Sequence, residues 1–345
     1  MKRNILISLL LVMFINSCVT YYYYVDTDVL GDMSVDRKVY ASSPNDHGPD
    51  MTFVKSGEWK DIKVAKPFNV DFYDKIVEMT EGAAAHVDDL GASRFNVDSV
   101  NVSNPLIDPV ETVGKRFAWF YTYYDYKAVF RNMREELPLP LDGYLTNERQ
   151  ALYFRGENPP QGWNGIEMYC LLSDINRMFA DWYADAMFLI LCDIYKPYCS
   201  DKQNDILCYR KDDFMEVVSK EMMLVMEPGQ FAARMEDIVP GSGFPALFQE
   251  REEELEAAYS EETSILDRFS YSFMYSISMP GRYLEGNAPD FIDGIPVWKV
   301  DGYRLLYDDI VMEATFRKVN IWAFLLTFAA IAILLQFFSK VFSRR

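Results

Sequence analysis

Glu167, Asp174 and Asp181 recur every seven residues along a stretch of helical periodicity, with Arg177 between the last two and Asp185 four residues beyond Asp181. A seven-residue step returns side chains to one helix face. Two carboxylates on one face are what glycoside cleavage asks of an acid and a base. An exposed face laced by ion pairs three and four residues apart accounts for the same residues. The histidines are His47 and His86, far apart in sequence. No cysteine pair has zinc-ligand spacing, so a His-rich metal centre is excluded and a mixed Cys/His site is disfavoured. His47 sits near Ser43 and Asp46 in a turn-rich loop, but neighbours in sequence do not make a triad, and a solvent-exposed histidine explains it. Pro240-Gly241-Ser242-Gly243 lacks the spacing of a nucleophile elbow and reads as a turn. Asp26, Asp28 and Gly31 begin like a calcium loop, yet Leu30 and Arg37 stand where oxygen ligands belong. No phosphate-cradling glycine loop is present. No catalytic, cofactor or metal site is assigned, and the enzyme reading is an alternative only: a surface-retained glycan or peptide hydrolase using the carboxylates of the helical stretch.

The remaining chemistry is that of sulfur. Met1-Lys2-Arg3 is a short basic start, Ile5 to Ile15 an apolar run, and Ile15-Asn16-Ser17-Cys18 its end. This resembles the lipobox of bacterial lipoproteins. The resemblance implies that a signal peptide, residues 1–17, is cut before Cys18 and that Cys18 carries the lipid, palmitate included. An ordinary signal peptide or signal anchor is the alternative. Cys170 and Cys192 lie on one stretch of helical period, about 33 Å apart if the helix is continuous, too far to bridge. Cys199 and Cys208 flank the polar segment Ser200–Asp205, and a Cys199–Cys208 disulfide is expected in an oxidising compartment.

These groups need a scaffold and an anchor. Ile321 to Phe338 is uncharged, with Thr327 and Gln336 its polar interruptions, and reads as a transmembrane helix over 319–339. Arg317 and Lys318 precede it, Lys340, Arg344 and Arg345 follow it, and Trp322 stands where an interfacial aromatic belongs. The formal net charge of −18 repels phosphate backbones and anionic headgroups, which argues against nucleic-acid binding.

Between the two anchors the period changes twice. Val19–Asp28 with four consecutive tyrosines, a turn at Leu30–Met33 and Ser34–Ala41 read as a hairpin. Strands are expected at Trp59–Lys66 and Phe68–Tyr73, and a strand covered on both faces at Arg116–Phe130. Trp163–Tyr195 has three-to-four spacing and stops at Pro197; helices follow at Asp213–Met226, with Pro228-Gly229 as terminator, and at Phe244–Tyr259. Phe269–Met279 alternates aromatic or apolar with serine, as a strand with one face on water would. Asp290–Val300, Tyr303–Tyr307 and Ile310–Phe316 complete the pattern. The fold class is α+β. It combines a largely antiparallel β domain built from both chain ends (19–143 and 265–318), a helical insertion (144–264) and one C-terminal transmembrane helix.

Met279-Pro280-Gly281, Asn287-Ala288, Asp293-Gly294 and Val297-Trp298-Lys299-Val300 form a run that resembles the signature of LppM-type bacterial lipoproteins. That resemblance implies a curved sheet gripping a helix, and lipid or glycolipid binding without catalysis; the helical insertion departs from the pattern. The expected protein is an envelope lipoprotein of a bacterial cell membrane, held by the Cys18 lipid and a single pass. Residues 18–318 are expected on the extracytoplasmic, periplasmic face and 340–345 in the cytoplasm, with no Gly/Ser/Pro linker at either anchor. Its expected partners are the membrane and a lipid, glycan or membrane protein.

Overall fold

The computed structural model describes residues 20–42, 51, 54, 59–64, 67–70, 75–88, 106–155, 162–221 and 226–342. The expected signal peptide, residues 1–17, and Cys18 and His47 lie outside them. The chain divides into two compact units. One comprises Thr20–Arg131, Ser272–Asp301 and Asp309–Arg345, the other Asn132–Tyr271 and Gly302–Asp308 within the described residues.

The β unit has strands β1 (Tyr21–Val29), β2 (Val35–Ser42), β3 (Lys60–Asp61), β4 (Phe68–Asn69), β5 (Ile76–Val77), β6 (Glu81–Val87), β7 (Val110–Ala118) and β8 (Tyr121–Phe130). After the helices come β9 (Tyr271–Ser278), β10 (Arg282–Gly286), β11 (Asp290–Ile292), β12 (Ile295–Asp301) and β13 (Ile310–Val319). A seven-stranded sheet runs β11-β12-β9-β1-β2-β6-β3 and a four-stranded sheet β10-β13-β8-β7. Strands from both chain ends meet at β1 and β9. Tyr23 stacks on Phe273, Ser276 donates to Asp26 and Ser278 to Asp28, so the pairing advances in the same direction along both strands. The β1–β2 turn falls at the expected place, with Met33 in the left-handed region at φ 80° and the Asp32 carboxylate accepting from Ser34.

β9 departs from the expected pattern: Tyr271 and Ser278 at its ends are half-buried and everything between them is buried. Phe273 and Tyr275 pack with Tyr23 and Phe130, while Met274 joins Tyr24, Phe68, Val70, Met79 and Val297 in a second cluster. The small serines let a strand buried on both faces look half-polar in sequence. Arg116–Phe130 is not one strand but the hairpin β7–β8, turning at Trp119-Phe120. β6 went unpredicted because Gly82-Ala83-Ala84-Ala85 carries no β-branched residues. Gly82 faces Tyr40 across the ladder, and a Cβ there would come within 3.1 Å of Ile62.

The helical unit is built on α1 (Gly165–Tyr195), opened by a capping box in which the Asn164 side chain accepts from the Ile166 and Glu167 amides and Glu167 accepts from the Asn164 amide. Ile175, Phe179, Trp182, Ala186, Leu191 and Tyr195 form its buried stripe. The polar segment Ser200–Asp205 that follows Pro197 is helical from its second residue, as α2 (Asp201–Tyr209). α3 (Lys211–Glu221) follows, and Pro228 then starts a helix, α4 (Pro228–Ile238), rather than ending one: it sits at the first position, where its missing N–H costs nothing. The expected helix at Phe244–Tyr259 is two, α5 (Phe244–Glu250) and α6 (Glu252–Glu262), hinged at Arg251. Phe188, Phe214, Phe231, Tyr195 and Phe244 form a continuous aromatic core. Tyr303–Tyr307, expected as strand, holds a 3-10 turn, Arg304–Leu306, and Tyr303 packs on Phe179 and Phe269.

Candidate functional site

β13 passes into the apolar helix α7 (Ile321–Phe342) through one residue, Asn320. Its backbone N–H donates to the Phe120 carbonyl at 2.8 Å and its side-chain amide to the Trp119 carbonyl at 2.9 Å. The Asn320 side-chain oxygen accepts from the Thr122 hydroxyl at 3.0 Å, and its carbonyl accepts from the Ala323 amide. The turn between sheet and helix is therefore bonded on all sides to the β7–β8 hairpin, so the helix leaves the sheet in a set direction. α7 is the one helix among the described residues long and apolar enough to cross a membrane, and almost all of it is exposed.

The tip of the hairpin lies against the first turns of α7. Phe117 stacks on Trp322 with centroids 6.1 Å apart, Trp119 meets the same ring edge-on at 5.4 Å, and Phe120 packs on Phe324 at 4.5 Å. The Trp119 indole N–H donates to the Thr327 hydroxyl at 2.9 Å. Thr327 lies six residues past Ile321, about 9 Å along a helix axis. Phe117, Trp119 and Trp322 nevertheless stay about half exposed, forming an apolar collar continuous with the helix.

Behind the junction, one polar cluster crosses the interior between the two sheets. Arg37 of β2 is 2% exposed; its guanidinium donates to both Glu111 oxygens of β7, at 2.7 and 3.1 Å, and to Thr27 of β1 at 3.1 Å. The Tyr126 hydroxyl of β8 donates to Glu111 at 2.6 Å. Burial works against the Arg37 charge, but the Glu111 carboxylate outweighs it and holds the guanidinium above its ordinary pKa. Burial first, and then Glu111, push the Tyr126 phenol well up. The cluster is closed to substrate and reads as a clamp between sheets. On the solvent face of the four-stranded sheet lies an open groove of about 710 Å³ lined by Thr112, Asp125, Lys127, Glu285, Asn287 and Glu313 among others.

The sequence-derived candidates are dispersed into structural roles. Glu167 closes the α1 capping box, and Asp174 meets Arg177 at 3.4 Å. Asp185 accepts from the Tyr144 hydroxyl and pairs with Lys211 at 3.0 Å; burial and Asp185 raise the Tyr144 pKa to about 12. Asp181 is raised by burial, with Asp185 adding to the effect against Arg177. Gly241-Ser242-Gly243, read as a turn, wraps the Glu236 carboxylate: the Gly241 amide and the Ser242 hydroxyl donate at 2.6 Å and the Gly243 amide at 3.2 Å. Those donors, the hydroxyl first, hold Glu236 below its ordinary pKa. Among the described residues no three His, Cys, Asp or Glu side chains converge as a metal site. Cys199 and Cys208 are free thiols here, one just before α2 and one in its last turn, and burial pushes the Cys199 thiol up to about 11.

The residues behind the LppM-type resemblance fall at one corner of the β unit and do backbone work. Gly281, at φ 102°, lies so close to β13 that a Cβ would come within 2.3 Å of the Arg317 carbonyl oxygen. Asp293-Gly294, both left-handed, turn β11 into β12. The Asn287 side chain accepts from the Trp298 indole at 3.0 Å and from the Glu313 amide at 2.8 Å, and donates to the Val311 carbonyl at 2.7 Å.

The chain matches no protein-family model and no curated protein. Among solved structures, the folded domain of the Mycobacterium tuberculosis LppM protein, determined by NMR, is similar at a TM-score of 0.26 and 8% identity, over 88% of this chain and 92% of that one. A likeness that slight carries neither fold nor role across.

Proposed function

We propose that this chain is a non-catalytic, membrane-tethered envelope lipoprotein. It spans the membrane once through α7, is lipidated at Cys18, and holds its β unit at the extracytoplasmic surface, where it binds a lipid, glycan or protein partner. The observation that carries the reading is the Asn320 junction: an apolar helix bonded without a linker to an aromatic hairpin tip suits a domain that must be held against a bilayer. Trp119 and Thr327 support it further, because an indole N–H at that depth in hydrocarbon needs a partner and Thr327 supplies one. The test is metabolic labelling with an alkyne palmitate in cells expressing the full chain, followed by carbonate extraction. Label on the wild type and none on Cys18→Ser, with both proteins retained in the membrane pellet, is the expected result. Release of Cys18→Ser into the soluble fraction would mean that α7 does not span.

A further inference from the structure

The four-stranded sheet carries an unusual row. Arg282 of β10 stands opposite Arg317 of β13, Arg317 opposite Tyr123 of β8, and Tyr123 opposite Arg116 of β7. Residues in register share a face, so three guanidinium groups flank one tyrosine across the width of the sheet. Like charges facing each other across strands cost stability, and this chain has 52 acidic against 34 basic residues with which to neutralise them. Yet none of Arg116, Arg282, Arg317 or the neighbouring Lys318 forms an ion pair among the described residues. Two acids further up the same face are engaged elsewhere, Glu313 with Lys127 at 2.8 Å and Asp125 with the Thr315 hydroxyl at 2.8 Å, and a third, Glu285, stands opposite Thr315 rather than an arginine. Tyrosine rings support two of the arginines, Arg116 lying 4.5 Å from the Tyr123 centroid and Arg317 4.7 Å from that of Tyr121.

The position of the row says what completes it. Arg317 precedes Ile321 by four residues, about 13 Å of extended chain, and the headgroup layer on each side of a bilayer is roughly 5–8 Å deep, a difference that a long arginine side chain reaching toward the bilayer spans. With the aromatic collar and α7 in the hydrocarbon, the arginines stand among headgroups. We propose that Arg116, Arg282 and Arg317 bind the phosphates of anionic phospholipids in the leaflet that the β unit faces. This rests on the membrane-spanning reading of α7, and it makes the site selective for headgroup charge despite the acidity of the whole chain. Arginine suits it because its planar fork takes phosphate oxygens in pairs.

The full-length protein is reconstituted into nanodiscs of phosphatidylcholine alone, then of phosphatidylcholine with phosphatidylglycerol, and lipids retained after ejection are counted by native mass spectrometry. Wild type should retain phosphatidylglycerol in excess of its share by about fivefold or more, since one basic residue at a charged surface contributes on that order. R116Q/R282Q/R317Q should lose the excess while still entering phosphatidylcholine discs, R116K/R282K/R317K should keep part of it, and K127Q, further up the same face, should behave as wild type. Equal retention by wild type and the glutamine variant, or no excess in wild type, would overturn the proposal. Failure to enter phosphatidylcholine discs at all would instead remove the membrane reading, and the headgroup site with it.

Discussion

Asn287 shows how much one amide can hold. Its side chain joins the Trp298 indole of β12 to the backbone of β13, and its own N–H donates to the Glu313 carbonyl. Asn287→Ala leaves three partners without their mates and should cost about 2–4 kcal/mol in chemical unfolding, the sum of a few modest hydrogen bonds with incomplete rescue by water. A different residue-scale effect sits at the far edge of the seven-stranded sheet. His86 and Asp36 are directly opposed across β6 and β2 and meet at 2.5 Å, both exposed. The hydrogen bond to Asp36, foremost, raises the His86 pKa above 6.5. A group whose pKa is raised by folding stabilises the fold while both states are protonated, and the gain is lost as pH climbs through the folded value. Urea midpoints of wild type and His86→Asn should therefore differ below about pH 6.5 and converge above the raised value. A difference that persisted or grew in alkali would sink this account. The turn and signature residues, Gly281, Asn287, Asp293-Gly294 and Trp298, were visible in the sequence because each does a backbone job that few side chains can do. What they do was not visible: they shape a corner rather than a pocket.

At the scale of elements, the two sheets are joined by packing and, among the described residues, by the charged pair Arg37–Glu111. Arg37 and Glu111 come from strands 74 residues apart in sequence, and neither announces a partner in its local pattern. Arg37 even appeared only as a residue that spoils a calcium loop. Breaking one side should be far worse than removing both, because a lone buried charge cannot be resolvated without opening the sandwich. Arg37→Met should cost about 3–5 kcal/mol, whereas Arg37→Met with Glu111→Leu should recover most of that loss, read as a double-mutant cycle from urea unfolding. An additive cycle would show that the pair is not the clamp described. The β7–β8 hairpin was missed for a related reason. Its turn is Trp119-Phe120, with Trp119 at φ 21°, and has none of the Gly, Asn or Asp that mark hairpins. The turn is instead held from outside by Asn320, some 200 positions away in the chain. Long helices with apolar period, α1 above all, were read correctly because their signal is local. The break at Arg251 was not, nor was the helix that Pro228 opens, since proline ends a helix in one context and opens it in another.

For the whole molecule, net charge proved a poor guide to any one surface. A chain at −18 should repel anionic headgroups everywhere, yet the row of Arg116, Arg282 and Arg317 lies where α7 begins. The acidic residues concentrate elsewhere, as in the first turn of α6 with Glu252, Glu253 and Glu254. Charge also bears on topology. Under the proposed orientation Lys340 and the two terminal arginines face the cytoplasm. Arg317 and Lys318 lie on the other side, so counting basic residues alone decides little. The β unit is fused to its helix without a linker, so it lies wholly on one side, and under the proposed orientation that side is the extracytoplasmic one. A tag placed after Arg345 should therefore survive protease added to intact spheroplasts and vanish once they are lysed, while antibodies to the helical unit lose their epitope in both cases. Loss of the tag from intact spheroplasts would invert the orientation. The arginine row would then face the inner leaflet, and the lipid-selectivity experiment would still stand, because it reads the headgroup and not the side.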